Sequence, residues 1–358
     1  MKNGLWVLFY FIRWRLPNRL IMMSTFCSNP LLSLGFKIMT LKTWQTQLSE
    51  CISSISELCD YVGISRLNIE TPFKIKVPKA FADRIQKNNP EDPLLLQVLT
   101  QTQELEITEG FCADPLQEKS FNPLPGLLHK YHGRVLVMLH GTCAIHCRYC
   151  FRRSFPYENN KPGLSGFKKI IDYLNQDPSI EEIIFSGGDP LINSDSMLSS
   201  LLSQLNTIPH LKRIRFHTRL PIVLPDRITD ELITALKTTH CQLIMVIHSN
   251  AAEEVDHSVY LALQKLKPHM ILLNQAVLLK NINDTKEKQI KLHKRLFECG
   301  VLPYYLHLLD KVEGIAHFEV SQEQAKKLML EIQAELPGYL VPKLAQEVPK
   351  EKSKKVIL

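Results

Sequence analysis

The chain has 358 residues, and its hydrophobic content of 45% is ordinary for a globular protein large enough to hold one sizeable α/β unit with smaller appendages. This composition excludes a disordered chain, and the net charge of +7 is spread along the sequence without the aromatic-interleaved basic motif of a nucleic-acid-binding protein. Nine cysteines, with a single tight cluster among them, indicate a reducing compartment, so we expect a cytoplasmic protein that makes no direct contact with nucleic acid.

Residues 1–38 differ in character from the rest of the chain. An apolar run over residues 5–12 is followed by Arg13 and Arg15, is too short to span a bilayer and lacks the small-residue cleavage site of a signal peptide. A clean amphipathic pattern begins just after Met39. We therefore expect residues 1–38 to be a dispensable extension that is not part of the native protein, and we expect no association with membranes.

Residues 39–128 show a mostly helical pattern that repeated prolines cut into short pieces, which predicts an N-terminal, mainly helical domain. From residue 129 to residue 336, apolar strands alternate with amphipathic helices, and a short C-terminal segment, residues 337–358, follows. The predicted strands are Val135–Leu139, Glu182–Phe185, Arg213–His217, Leu243–His248, Met270–Leu279 and Leu302–Leu308. The predicted helices are Leu164–Asn175, Ser196–Asn206, Asp226–Lys237, Val259–Lys265, Thr285–Glu298 and Ser321–Leu336.

This alternation of strands and helices predicts an α/β fold with a parallel sheet. Six βα units without an obvious break favour a partial (β/α)6 barrel of the TIM type, for which a doubly wound sheet is the alternative. In both architectures the reactive groups belong at the C-terminal ends of the strands.

Three cysteines follow the first predicted strand at the spacing C-x3-C-x2-C, namely Cys143, Cys147 and Cys150. Three thiolates this close together require a metal. A tetrahedral zinc site would normally need a fourth protein ligand, whereas a [4Fe–4S] cluster held by three cysteines leaves one iron open for a substrate or cofactor. The residues alone leave both alternatives open, and the second describes a reactive site.

Polar residues also follow the later strands. The turn Ser186-Gly187-Gly188-Asp189 follows the second strand, where paired glycines let a ligand approach the backbone and Asp189 can accept a hydrogen bond from a cationic amine. Other strand ends carry His217-Thr218-Arg219, His248-Ser249-Asn250, Asn274-Gln275 and Asp310. Because these ends meet at one face, the pattern predicts a polar site that suits a cofactor and a zwitterionic substrate.

The cysteine loop resembles the signature of radical S-adenosylmethionine enzymes, and the Ser186–Asp189 turn resembles the segment that holds the methionine amino group in that family. More narrowly, several segments look like those of lysine 2,3-aminomutases: Cys150–Arg153, Phe185–Leu191, Arg219–Pro225 and Asn274–Leu279. The resemblance runs from about Trp44 to the C-terminus. The segments Pro303–His307 and Gly338–Ala345 are most similar to the branch of the family that acts on elongation factor P.

This resemblance implies an isomerase that converts (S)-α-lysine to (R)-β-lysine for the modification of elongation factor P. It implies three cofactors, a [4Fe–4S] cluster, S-adenosylmethionine and pyridoxal 5′-phosphate. The implied partners are L-lysine, an electron donor such as flavodoxin or ferredoxin, and, through a functional link, elongation factor P with its lysine ligase. The oligomeric state stays open, with a homo-oligomer among the alternatives.

The resemblance also assigns residues to these ligands. The cluster falls to Cys143, Cys147 and Cys150, and S-adenosylmethionine to Ser186, Gly187, Gly188 and Asp189, while Gln275 is expected to bind a cofactor. Arg152 falls at the position that pairs with the substrate carboxylate, with Arg148 and Arg153 as rivals on the same loop. Asp310 and Glu347 fall at the positions of acids that pair with the side-chain ammonium of lysine.

Pyridoxal phosphate is assigned to Lys354, with Lys352 and Lys355 as alternates, and Arg134 is expected to contribute to the same site. The sequence departs from the family here, because Lys355-Val356 stands where Thr-Pro is usual. The family's zinc-binding, cysteine-bearing extension has no counterpart after Lys354, so no structural zinc is expected. Two alternative functions remain: a radical enzyme for another amino acid such as glutamate or arginine, and a zinc-binding module without enzymatic activity.

Overall fold

The computed structural model describes residues 42–155, 160 and 162–358, together with the backbone at 15–16 and 19–20. The predicted extension over residues 1–38 therefore lies almost entirely outside the described residues. Within it, Arg15–Leu16 (β1) and Arg19–Leu20 (β2) pair as two short antiparallel strands.

The segment predicted to be a mainly helical domain contains three short α-helices and is otherwise built from turns and irregular chain. The helices are Trp44–Ser49 (α1), Ile55–Val62 (α2) and Lys79–Ala82 (α3), and short 3-10 helices follow at Thr102–Leu105 and Glu118–Phe121. These helices are short because prolines and polar turn residues end each of them within about two turns. Buried side chains of this segment, including Leu58 and Phe81, belong to the same apolar core as the strands that follow.

The centre of the molecule is a nine-stranded open sheet in which the strands lie in chain order. The strands are Leu127–Tyr131 (β3), Arg134–His140 (β4), Glu182–Gly187 (β5), Arg213–Thr218 (β6), Gln242–Ile247 (β7), Ile271–Val277 (β8), Leu302–His307 (β9), Lys343–Gln346 (β10) and Lys355–Val356 (β11). Strands β4 to β10 are parallel, whereas β3 and β11 add to the two edges in antiparallel fashion. The six predicted parallel strands are confirmed, and the open order of the sheet is consistent with the predicted partial barrel.

Helices connect the successive parallel strands. They are Gly163–Gln176 (α4), Asp195–Leu205 (α5), Leu220–Val223 (α6), Asp230–Leu236 (α7), His257–Leu266 (α8), Lys286–Glu298 (α9) and Gln322–Glu335 (α10). Side-chain caps set several of the starts: Thr229 accepts a hydrogen bond from the Leu232 amide at the start of α7, and for this reason α7 begins later than the helix predicted from residue 226. None of the helices over the described residues combines the length and the apolar character needed to span a lipid bilayer.

Successive side chains of a strand point to opposite faces of the sheet, so one face packs into the apolar core and the other lines the interior of the partial barrel. On β5 and β6, Ile183, Phe185 and Phe216 are fully buried in the apolar core. The residues of opposite parity, such as Ser186 and His217, line a cavity instead. A period of two in the sequence therefore places the polar residues of these strands on the inner face of the sheet.

Candidate active site

One cavity of about 610 Å³ occupies the inner face of the sheet, and its lining joins the cysteine loop to the C-terminal segment. All thirteen of the predicted site residues contribute to this lining: Arg134, Cys143, Cys147, Cys150, Arg152, Ser186, Gly187, Gly188, Asp189, Gln275, Asp310, Glu347 and Lys354. Residues separated by more than two hundred positions in the sequence thus meet around one space. Its volume suits cofactors and a small polar substrate.

Two arginines of the cysteine loop, Arg148 and Arg153, which were alternative candidates for binding the substrate carboxylate, anchor the loop to neighbouring segments. Arg148 is fully buried, and its Nε donates to Glu104 Oε1 at 2.8 Å while its Nη1 donates to the Phe73 carbonyl oxygen at 2.8 Å. Arg153 Nη2 donates to Glu104 Oε2 at 2.7 Å, and its Nη1 donates to the Gly314 carbonyl oxygen. Neither arginine lines the cavity. Both instead tie the loop to neighbouring segments of the chain.

The three cysteine thiols lie on one wall of the cavity. Burial raises the pKa of the Cys150 thiol to about 11, with the Cys147 thiol adding to the rise, which reflects how close the sulfurs lie to each other. Over the described part of the chain, no three His, Cys, Asp or Glu side chains are gathered as ligands of a single metal ion. Each cysteine of a [4Fe–4S] cluster binds a different iron, so its thiols stand farther apart than the ligands of one ion. The set of three thiols beside a cavity fits such a cluster.

The turn after β5 is packed so closely that only glycine fits at two of its positions. Gly187 has a φ of +112°, and a Cβ there would come within 2.6 Å of the His140 carbonyl oxygen. A Cβ on Gly188 would overlap the backbone of Thr142. The amide of Gly188 donates to the His140 carbonyl oxygen at 2.7 Å. The glycines thus let the turn lie directly against the chain that leads into the cysteine loop.

The carboxylate of Asp189 connects this turn to the end of β6. Its Oδ1 accepts hydrogen bonds from the Leu191 amide at 3.0 Å and the Thr218 hydroxyl at 2.7 Å, and its Oδ2 accepts from the amides of Arg219 at 2.8 Å and Leu220 at 3.2 Å. Burial raises the pKa of Asp189 to about 6, although these hydrogen bonds act in the opposite direction. A cationic amine bound to the Asp189 carboxylate would therefore add to the four hydrogen bonds that this group already accepts.

Three buried polar atoms of residues that line the cavity have no hydrogen-bond partner among the described residues. They are Nε2 of His217, Nε of Arg219 and Oε1 of Gln275. Burial lowers the pKa of His217 well below its ordinary value, so this imidazole is neutral. Buried polar atoms are normally paired, and three unpaired atoms on residues that line one cavity indicate that a polar ligand completes the site.

Arg152 faces a carboxylate within the protein itself. Its Nε donates to Glu118 Oε2 at 2.9 Å and its Nη2 donates to Glu118 Oε1 at 2.6 Å, and its Nη1 lies 3.5 Å from Ser186 Oγ. Glu118 was not identified from the sequence, because it begins a short 3-10 helix 34 residues before Arg152 and no motif links the two. The bidentate pair shows that the guanidinium at this wall can hold a planar carboxylate.

Glu347 and Asp310 lie near each other, but their pKa values are shifted in opposite directions. Glu347 accepts from the Tyr131 hydroxyl at 2.5 Å and from Lys130 Nζ at 3.0 Å, and it forms an ion pair with Lys354 Nζ at 3.4 Å. Burial raises the pKa of Glu347, but these partners outweigh it and hold the pKa below its ordinary value. Burial, reinforced by the charge of Glu347, raises the pKa of Asp310 to about 7. The cavity thus contains one ionised acid and one that titrates near neutral pH.

The side chain of Lys354 extends into the cavity from the C-terminal segment. Its Nζ lies 3.2 Å from Nε2 of His307 and 5.3 Å from the centre of the Tyr305 ring. Burial lowers the pKa of Lys354, while Glu347 and Asp310 oppose that effect. Burial also lowers the pKa of His307 well below its ordinary value, so its imidazole is neutral and is a hydrogen-bond partner for the amine rather than a second cation beside it.

The other candidate lysines lie elsewhere. The side chains of Lys352 and Lys355 are exposed and do not line the cavity. Arg134 does line it, with its guanidinium stacked 4.7 Å from the centre of the Tyr131 ring. Of the three lysines considered, Lys354 is therefore the one whose amine reaches the interior of the site.

The chain is similar to known proteins over most of its length. A family model described as a 4Fe-4S single cluster domain matches residues 132–218. The chain is 45% identical over 330 residues to the L-lysine 2,3-aminomutase of Escherichia coli (strain K12), which covers 88% of this chain and 96% of that protein. It is 45% identical over 320 residues to the L-lysine 2,3-aminomutase of Haemophilus influenzae, covering 87% and 95% of the two chains, and 30% identical over 314 residues to that of Clostridium subterminale, covering 86% and 75%.

Among solved structures, a radical SAM methyltransferase from Sphaerobacter thermophilus shares 12% sequence identity with a TM-score of 0.45, and the alignment covers 62% of this chain and 68% of that one. The family-model match contains both the cysteine loop and the glycine turn.

Proposed function

The chain belongs to the family of L-lysine 2,3-aminomutases, and we propose that it converts (S)-α-lysine to (R)-β-lysine with the help of pyridoxal 5′-phosphate, for the modification of elongation factor P. The observation that carries this proposal is the position of Lys354, whose amine enters the cavity that Cys143, Cys147 and Cys150 also line. A radical source and a lysine able to hold an aldehyde cofactor are the two groups that an aminomutase of this type requires in one space.

Each cofactor has residues that could hold it. The three cysteines would hold a [4Fe–4S] cluster, which the matched family model supports. The open backbone at Gly187 and Gly188, with His217 and Gln275 nearby, would hold S-adenosylmethionine, and Lys354 with Arg134 would hold pyridoxal phosphate. When bound, these groups supply one-electron chemistry that removes a hydrogen atom from the substrate and an electron sink for the shift of its amino group.

The chain's own residues would bind the substrate at both ends. Arg152 would pair with the carboxylate of lysine, taking it in the bidentate geometry that Glu118 now occupies. Asp310 and Glu347 would pair with the ammonium at the end of the side chain. An isolated ammonium in a desolvated site would be costly, so two acids there favour a cationic substrate. The same acids would repel the side chain of glutamate, which was one of the alternative substrates.

Lys354 must lose a proton before its amine can form a covalent bond with an aldehyde. Burial already lowers its pKa, and the neutral His307, 3.2 Å away, adds no positive charge beside the amine and can hold it by a hydrogen bond. Glu347 would hold the lysine in place until the cofactor arrives, and would then be available to the ammonium of the substrate. The same acid would thus serve the cofactor lysine first and the substrate second.

The proposal can be tested by treating the chain, loaded with pyridoxal phosphate, with borohydride and then mapping its peptides by mass spectrometry. We expect a phosphopyridoxyl label on Lys354, and we expect Lys354→Ala to lose it while the matched variant Lys352→Ala keeps it. A label on Lys352 or Lys355 would contradict the assignment.

The activity itself requires an anaerobic assay with iron and sulfide loaded. We expect (R)-β-lysine to form from L-lysine only when S-adenosylmethionine, pyridoxal phosphate and an electron donor of the flavodoxin or ferredoxin type are present. Transfer of the product to elongation factor P by its lysine ligase would then be followed by intact mass. A chain that binds one zinc and no iron after anaerobic purification would instead support a non-enzymatic module.

A further inference from the structure

Arg219 follows the end of β6, lines the cavity and contacts the cysteine loop through its guanidinium. Its Nη1 donates to Sγ of Cys147 at 2.8 Å. Its Nη2 donates to Gln97 Oε1 at 2.6 Å and to Glu254 Oε2 at 2.9 Å. Arg219 is 6% exposed, and Gln97 and Glu254 are fully buried. A charged donor and its compensating carboxylate thus lie against one cysteine sulfur, away from solvent.

The partners of Arg219 are themselves held in position. Oε1 of Glu254 accepts hydrogen bonds from the amide of Asn250 at 2.8 Å, from the amide of Ala251 at 3.0 Å and from Nε2 of Gln97 at 3.1 Å. These residues come from the N-terminal segment and from the chain after β7, so separate parts of the fold converge on the guanidinium. Its orientation toward Cys147 is therefore determined by the surrounding structure.

We propose that Arg219 is a positioning residue that orients the Cys147 sulfur and raises the reduction potential of the cluster bound there. This inference rests on the proposed function to the extent that it requires the cluster. Reduction adds one electron to the cluster, and a buried cation that donates an N–H to a ligating sulfur stabilises the added negative charge. Glu254 offsets part of that effect because its negative charge lies on the other side of the same guanidinium.

The two residues should therefore shift the potential in opposite directions. Replacing Arg219 by glutamine removes the cation and makes reduction harder, whereas replacing Glu254 by glutamine removes the compensating anion and makes reduction easier. Arg219→Lys keeps the charge but loses the planar fork that reaches Cys147 and Glu254 together, so its shift should have the sign of Arg219→Gln and a smaller size. A purely structural role predicts no such opposite signs.

The experiment is an anaerobic redox titration of the full chain, reconstituted with iron and sulfide and followed by electron paramagnetic resonance without S-adenosylmethionine. At one fixed ambient potential we expect the ratio of reduced to oxidised cluster to fall about tenfold in Arg219→Gln, which is a shift of about 59 mV for one electron. We expect the ratio to rise in Glu254→Gln. The matched control is Arg227→Gln, since Arg227 is a fully buried arginine paired with Asp195 rather than with a cysteine. This control should leave the potential unchanged.

The iron content of each variant shows whether it has taken up the cluster, and so whether its potential can be compared with that of the wild type. If Arg219→Gln takes up no cluster, Arg219→Lys and Glu254→Gln decide by the signs of their shifts. Variants with the iron content and potential of the wild type, or shifts of the same sign at both positions, would overturn the assignment to Arg219 while leaving the proposed function intact. A wild-type chain that takes up no iron would overturn both.

Discussion

Asp310 offers a direct test of how burial in the cavity changes the pKa of an acidic side chain. It lines the cavity near Glu347 and Lys354, and no donor in the described part of the chain bonds to its carboxylate. Burial, and next the charge of Glu347, raise its pKa from an ordinary value of 3.8 to about 7, although Lys354 acts in the opposite direction. Without substrate, this acid is therefore about half protonated near neutral pH.

The pKa shift of Asp310 has a cost in stability that can be measured. Because the pKa in the folded state is higher than in the unfolded chain, stability is complete below about pH 4 and is lost as the pH rises toward 7. A rise from 3.8 to about 7 corresponds to a loss of about 4 kcal/mol, which is an upper limit since water in the cavity screens the charge. Asp310→Asn avoids this loss, so we expect it to be more stable than the wild type at pH 8, with the difference vanishing near pH 4.

The same titration should control substrate affinity, because only the ionised carboxylate attracts the ammonium of lysine. With a pKa of about 7, the affinity at pH 6 should be about tenfold weaker than its plateau at higher pH. Lysine binding to the chain loaded with pyridoxal phosphate can be measured by isothermal titration calorimetry between pH 6 and 8.5. Unfolding by denaturant should be measured between pH 4 and 8. Asp172→Asn changes an exposed acid on α4 and is the matched control.

The refuting results are specific. If the free energy of unfolding of Asp310→Asn at pH 8 is no higher than that of Asp172→Asn, ionisation of Asp310 does not destabilise the protein without substrate. If the affinity of the wild type for lysine is the same at pH 6 and pH 8, Asp310 does not pair with the substrate. Asp310→Asn should itself bind lysine more weakly and without this dependence on pH.

Two further predictions concern the walls of the cavity. Gly188→Ala would force a Cβ into the backbone of Thr142, so we expect loss of activity and a free energy of unfolding lower by about 1–3 kcal/mol. The control Gly338→Ala, whose Cβ meets open space, should stay within about 0.5 kcal/mol of the wild type. Equal thermal unfolding curves for the two variants would contradict this prediction. Glu118→Gln weakens the ion pair between residue 118 and Arg152, so the guanidinium is freer to bind the substrate and we expect the KM for lysine to fall severalfold in steady-state assays. An increase in KM would show that Glu118 supports substrate binding instead.

Much of the architecture could be predicted because it depends on local periodicity. The six predicted parallel strands carry apolar residues in short runs or at alternate positions, and their C-terminal ends carry polar residues at the positions where the cavity forms. The strands β10 and β11 were missed because they have four and two residues and depend on pairing with distant parts of the chain. Glu118 and His307 were missed for a related reason, since the roles of both depend on contacts between residues far apart in sequence.

The assignment of Lys354 shows how tertiary pairing can resolve what the sequence left open among three lysines. Strand β11 pairs with β10 in antiparallel register, with Gln346 opposite Lys355. Continuing that register by one residue places Glu347 opposite Lys354, in agreement with their ion pair at 3.4 Å. A slip of one residue would turn Lys355 toward the cavity and Lys354 away from it, because successive side chains of a strand point to opposite faces. The acid at Glu347 thus has a second role, since its attraction for one lysine favours the register that brings Lys354 into the site.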